Sequence, residues 1–171
     1  MKRPVIWLLL MSLVSAWASA SDAPTGLPVP VIPTGHRMDY SWTFQSLDGV
    51  THSLMDFDNR VLLISYWATW CGPCNAELPN LSRLTQALKG YPVDIFCLTN
   101  QSQATVHKWL ETHPIDLPIY TYIGLPPHDI RVKAWPTTYL VNKEGLVIYQ
   151  HEGAAQWDDP DVIQLLQNMT R

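Results

Sequence analysis

Cysteine is scarce in this chain of 171 residues: there are three, Cys71, Cys74 and Cys97. Three thiols cannot make the disulfide framework of a small secreted domain, and they fall short of tetrahedral zinc unless histidines complete the set. The six histidines, at positions 36, 52, 107, 113, 128 and 151, supply no such spacing, so no metal site is expected. Charge is also scarce, at 15% of residues, with 11 basic against 15 acidic, a balance that argues against nucleic acid. Long apolar runs are missing beyond the first twenty residues, so a multi-span membrane protein is excluded. What is present in quantity is apolar surface, 47% of residues, together with 14 prolines and 8 tryptophans. That composition is globular, and the length fits one domain with an ordinary core.

The first twenty residues stand apart from the rest. "MKR" is basic, "VIWLLLMSLVSAWA" is apolar, and "ASA" at 18 to 20 has the small residues a signal peptidase requires. A signal peptide over 1–20, cleaved after Ala20, is the expectation. An uncleaved anchor is the alternative, although the apolar run is shorter than the roughly 20 residues of a spanning helix. Losing Lys2 and Arg3 would leave 9 of the 11 basic residues against 15 acidic ones, a net charge of −6. The mature protein is then expected to be secreted, or periplasmic if the source is a Gram-negative bacterium, in an oxidising compartment. Residues 21–37 open with "SDAPTGLPVPVIPTG", which has no helical or strand period and reads as an extended linker. A single domain over 38–171 follows.

Within that domain, "YSWTFQSLDGVTHSLMDF" (40–57) reads as a β-hairpin around Asp48-Gly49. "RVLLISYWAT" (60–69) is continuously apolar and β-branched, as a strand covered on both faces must be. Beyond the first two cysteines, Leu78, Leu81, Leu84 and Leu88 fall at helical spacing and stop at Gly90, with Pro79 bending the axis. A buried strand (93–100), a helix (102–113) and an irregular strand or loop (117–123) come next. Two strands over 137–153, turning at Lys143 to Gly145, precede a last helix (159–169) with Asp159 as N-cap and Pro160 at its first position. Alternating strand and helix imply an α/β class with parallel pairing.

"WCGPC" (70–74) joins the central strand to the first helix. Closing a loop of two intervening residues removes little unfolded-chain entropy, so a purely structural bridge is a poor fit. The first sulfur instead falls at a helix N-terminus, where unpaired N–H groups and the helix dipole favour a thiolate. Cys71 would be the nucleophile, and Cys74, one turn further in and more buried, the thiol that resolves a mixed disulfide. Cys97, inside an apolar strand, reads as an inert core residue.

The segments "LDGVTHSLMDFDNRVLLISYWATWCGPCNAELP" (47–79) and "VKAWPTTYLVNKEGLVIYQHEG" (132–153) resemble the thioredoxin superfamily, and within it the TlpA/ResA/DsbE-like thiol–disulfide oxidoreductases of bacterial envelopes. The resemblance implies a thioredoxin fold: a central mixed sheet with helices on both faces and an added N-terminal β-hairpin. It also matches Pro136 to the proline that the family keeps cis beside its active site, and Pro79 to the family's helix-kinking proline. Glu77 falls at the CxxCxxE position of ResA-like proteins, where a carboxylate can take the proton when Cys74 attacks or raise the cysteine pKa by like-charge repulsion. Its other reading is an exposed glutamate that merely favours the first helical turn. Ser65 stands where thioredoxin has a buried aspartate. Trp70, Gly72, Pro73, Trp135 and Pro136 are the positions expected to meet a client, and Trp67 is expected to pack inside.

The function implied is disulfide reduction on envelope proteins, for example in cytochrome c maturation, with no cofactor. The partners are clients bearing disulfides or thiols and a membrane thiol-electron donor, with no nucleic acid, the protein itself being a monomer. Gly72-Pro73 is the dipeptide of reducing thioredoxins. An oxidant or isomerase is the first rival. A copper- or heme-handling protein using the CxxC pair as ligands is the second, and it predicts tight Cu(I) binding. A peroxidase of related fold is weaker, since it needs a lone peroxidatic cysteine in another loop.

Overall fold

The computed structural model describes residues 37–171. The signal-peptide reading of 1–20 and nearly all of the 21–37 linker lie outside the described residues. No helix among those described is long and apolar enough to cross a membrane.

Seven strands form one mixed sheet: β1 (Thr43–Ser46), β2 (Thr51–Ser53), β3 (Val61–Tyr66), β4 (Val93–Thr99), β5 (Ile119–Thr121), β6 (Thr137–Val141) and β7 (Val147–Glu152). Their spatial order is β2-β1-β5-β4-β3-β6-β7. The central β3 is buried along its whole length, parallel to β4 and antiparallel to β6. The expected irregular segment at 117–123 becomes the short β5, parallel to β4 on one side and antiparallel to β1 on the other. It therefore joins the N-terminal hairpin to the main sheet. In that hairpin only Gly49 takes a positive φ, 87°, so Asp48-Gly49 does not make a two-residue turn with both residues left-handed. A wider loop forms instead, closed by bonds from the Gly49 N–H to Ser46 O and from the Ser46 N–H to Val50 O.

Helices α1 (Gly72–Ala87), α2 (Gln103–Leu110) and α3 (Pro160–Asn168) are the α-helices among the described residues. The expectation of helices on both faces needs a correction in balance. Leu78, Leu81 and Leu84 of α1, Val106 of α2, and Val162 and Leu166 of α3 all enter one core with Val61, Leu63, Trp67, Ile95 and Cys97. The reason is topological: β3-α1-β4 and β4-α2-β5 step the same way across the sheet, and right-handed crossovers put both helices on one face. The opposite face is covered by residues 38–42 and two 3-10 turns, Leu54–Phe57 and His128–Ile130. Its core contains Phe44, Leu54, Phe96, Tyr66, Ile130 and Tyr139. Both faces of β3 are thus dry, which explains an apolar run broken only by the buried Ser65.

Leu81 is fully buried at the centre of the α1 contact with the sheet. Leu81→Ala is expected to lower unfolding stability by roughly 2–5 kcal/mol, read from the denaturant midpoint at constant m-value, because packing around it leaves a cavity.

Candidate active site

The three parallel strands β3, β4 and β5 end at the same edge of the sheet, and β6 begins there. The chain leaves the sheet after Tyr66, earlier than the expected strand end at 69, because residues 67–71 must turn into α1. That turn is held by polar side chains. The Trp67 indole N–H donates to Asn75 Oδ1 (2.9 Å), and Asn75 Nδ2 donates to Thr69 O (3.0 Å). From the turn after β4, Gln101 Oε1 accepts the Thr69 N–H (2.7 Å) while its Nε2 donates to Thr69 Oγ1 (2.9 Å). One carboxamide thus fixes the approach to the cysteines from the helix side and another from the neighbouring strand.

Cys71 is the N-cap of α1, with extended φ/ψ, and its sulfur accepts the Cys74 N–H at 3.2 Å. The two cysteines form a disulfide. Cys71 is 4% exposed and Cys74 0%, while Gly72 and Pro73 between them face solvent. Pro73 sits in the first turn, where its missing N–H costs nothing, and Pro79 sits inside the helix, where it leaves the Asn75 carbonyl without its i+4 donor. Trp70 is 64% exposed and packs edge-on against Trp135, with ring centroids 5.4 Å apart. The Trp135–Pro136 peptide is cis and precedes β6 directly, so Pro136 lies on the same edge as the disulfide, across from the end of β3. Trp67 is buried, edge-on to Trp109 of α2.

Glu77 lies one helical turn beyond Cys74 and is 2% exposed, which removes the reading of an exposed first-turn glutamate. Its carboxylate sits over one row of the sheet. In register, Cys97 of β4, Ser65 of β3, Thr138 of β6 and His151 of β7 run side by side. Ser65 Oγ donates to Glu77 Oε1 (3.0 Å) and is in turn a partner of Thr138 Oγ1 (3.0 Å). Glu77 Oε2 accepts the Trp157 indole N–H (3.0 Å) and the Ala155 N–H (3.3 Å). Burial pushes the Glu77 carboxyl above its ordinary value, with the bonds from Trp157, Ser65 and Ala155 pulling the other way. So where thioredoxin carries an aspartate on the strand, this chain has a serine on the strand and brings the carboxylate from the helix.

Cys97 is fully buried beneath this group, and burial first, then the Glu77 charge, pushes its thiol well up, which keeps it protonated and inert. Sequence reasoning missed Asn75, Gln101, Thr138 and Trp157. Asn75 alone carried a local signal, a carboxamide directly after the second cysteine.

Comparison with known proteins agrees with this geometry. Over 115 residues, 66% of this chain, it is 26% identical to the thiol–disulfide oxidoreductase ResA of Halalkalibacterium halodurans, and the match spans 65% of that relative, just under two thirds of its length. Over 148 residues, 85% of this chain and 80% of the relative, it is 27% identical to a thiol:disulfide interchange protein DsbE homologue of Paracoccus denitrificans. The crystal structure of Etrx1, an exposed lipoprotein thioredoxin of Streptococcus pneumoniae, superposes with a TM-score of 0.61 at 23% identity, covering 74% of this chain and 98% of the other. The fold is therefore thioredoxin-like. The family model described as Redoxin matches residues 24–166, which takes in the whole sheet, both cysteines of the disulfide and the Glu77 cluster, and the chain belongs to that family.

Proposed function

We propose that this protein is a thiol–disulfide oxidoreductase working as a disulfide reductase on proteins of the bacterial envelope, with Cys71 as nucleophile, Cys74 as resolving thiol and Glu77 as proton acceptor. The observation that carries the reading is the Cys71–Cys74 bridge at the head of α1, with Cys74 fully buried and a buried carboxylate one turn beyond it. In the reduced protein the Cys71 thiolate attacks a client disulfide, forming a mixed disulfide and expelling one client thiolate. Cys74 then gives its proton to Glu77 and attacks Cys71 Sγ. The inter-protein bond breaks, the Cys71–Cys74 bond reforms, and two electrons have passed to the client, which leaves as a dithiol. Restoring the dithiol requires a donor of two electrons, assigned to a membrane thiol carrier.

Trp70, Gly72 and Pro73 surround the nucleophile on the solvent side, and the half-buried Trp135, next to the buried Pro136, meets Trp70 edge-on, which supports this rim as the client surface. The envelope location is supported by the signal-like first twenty residues and by the exposed lipoprotein among the structural relatives. A role in cytochrome c maturation is one pathway of this type.

The test is the reduction potential of the Cys71/Cys74 couple, by equilibration against defined thiol buffers with the free thiols counted. A value near the ~−270 mV of thioredoxin is expected, whereas one near the ~−120 mV of DsbA reverses the direction and makes the protein an oxidant. Absence of a reversible two-thiol couple removes the oxidoreductase reading itself and leaves the Cu(I)-binding one.

A further inference from the structure

Glu77 is bonded asymmetrically. Both groups on Oε2, an indole N–H and a backbone N–H, can only donate. A proton on Oε2 would set an O–H against two N–H groups in a dry site, a conflict worth avoiding because buried donors must find acceptors. Among the described residues the one partner of Oε1 is the Ser65 hydroxyl, which donates or accepts by rotating. Behind it stands a second hydroxyl, Thr138, with the same freedom.

We propose that Trp157, Ser65 and Thr138 are positioning residues for Glu77: the two N–H donors pin Oε2 as a permanent acceptor, and the reversible hydroxyl pair makes Oε1 the atom that takes and releases the proton. When Glu77 is ionised, Thr138 donates to Ser65 and Ser65 donates to Oε1. When Oε1 is protonated it donates to Ser65 Oγ, whose hydrogen swings to Thr138 Oγ1, and the Thr138 hydrogen turns away. Ser65 and the carboxyl keep partners in both states, and only the buried Thr138 hydroxyl gives up its acceptor when Oε1 is protonated, a cost that favours the ionised form. Trp157 comes from the segment before α3, so the C-terminal part of the chain sets the proton affinity of a group on the active-site helix.

This rests on the reading of Glu77 as the proton acceptor, and its test separates the two. The titratable groups around Glu77 are Cys74, one turn back on the buried stripe of its helix, Cys97 on β4, whose thiol feels the Glu77 charge, and His151 on β7, which meets Trp157 edge-on at 5.8 Å. Tyr149 of β7 also meets Trp157, at 6.5 Å, and Asp158, paired with Arg83, adjoins it. The measurement is the Cys71/Cys74 reduction potential against pH, in the full protein and its variants. Glu77→Gln identifies the inflection that belongs to Glu77, because that variant keeps every other group named here. Trp157→Phe keeps a ring but removes a donor to the charged form, so that inflection is expected to rise by about one pH unit. Ser65→Ala is expected to raise it too, and Ser65→Thr, which restores a hydroxyl, to return it. An inflection unmoved in both Trp157→Phe and Ser65→Ala overturns the positioning roles, whatever happens to their melting temperatures. An inflection that survives Glu77→Gln overturns the reading of Glu77, and the positioning proposal with it.

Discussion

Cys74→Ser is expected to turn the protein into a trap for its clients. Cys71 keeps its place as N-cap, with its sulfur still within reach of the residue-74 N–H, so it still attacks a disulfide. Release then fails, because the internal thiol is gone. An intramolecular nucleophile held in place is equivalent to an effective concentration of about 10⁵ M or more, while external thiols are present at roughly millimolar. Turnover with a model disulfide should therefore fall by at least about 10³-fold, and a client–Cys71 mixed disulfide should accumulate on non-reducing gels, with the linkage mapped by mass spectrometry. Cys71→Ser is expected to lose turnover without accumulating any adduct, since Cys74 is fully buried and cannot reach a client. Adducts through Cys74 in that variant would exchange the two roles.

The place of Cys71 at the helix cap, with Cys74 buried one turn in, was legible from the spacing alone, because a strand followed at once by CxxC and a leucine-spaced helix puts the first sulfur at the cap. The central strand was legible too, since an apolar run covered on both faces has no other use. Glu77 was ambiguous for a local reason: three residues after Cys74, it satisfies both a first-turn acid and a buried one. The phase of the helix contained the answer, for Cys74, Glu77, Leu78, Leu81 and Leu84 lie on one stripe and all are buried. Trp157 was invisible because its contact with Glu77 joins residues eighty positions apart, and "AAQWDDP" reads locally as a loop with a capping aspartate. Thr138 and Gln101 escaped for the same reason: each acts through register or through a turn that only the assembled sheet defines. The placement of all three α-helices on one face was open to topology but not to periodicity, which tells which stripe is apolar and not which side of the sheet it meets.

Glu77→Gln and Glu77→Leu are expected to part company in stability while sharing a defect in activity. Both remove the base that takes the Cys74 proton, which should slow the resolving step by roughly 10²-fold or more, measured as decay of a preformed mixed disulfide in a stopped-flow trace. In structure, glutamine reproduces the protonated acid. Its oxygen can take the place of Oε2 and accept from Trp157 and Ala155, and its amide can donate to Ser65 in the place of Oε1. Leucine offers nothing to the buried Ser65 and Trp157 donors, each of which costs about 1–3 kcal/mol when left unpaired, nor to the part-buried Ala155 N–H, so Glu77→Leu should melt well below wild type at every pH. The glutamine variant has a pH signature. The Glu77 carboxyl is raised above its ordinary 4.5, so the folded protein retains a proton there that the unfolded chain has already lost. The associated stability is complete below the ordinary carboxylate range and is lost as pH rises through the folded value, where the wild type must bury a charge. Glutamine never does, so thermal melts across a pH series should show Glu77→Gln gaining on wild type as pH rises. The opposite slope, with wild type gaining on the glutamine variant, would mean that the three donors outweigh burial and that the carboxyl titrates below its ordinary value. It would then be a weak acceptor for the Cys74 proton, and the fast resolving step would have to draw on another base.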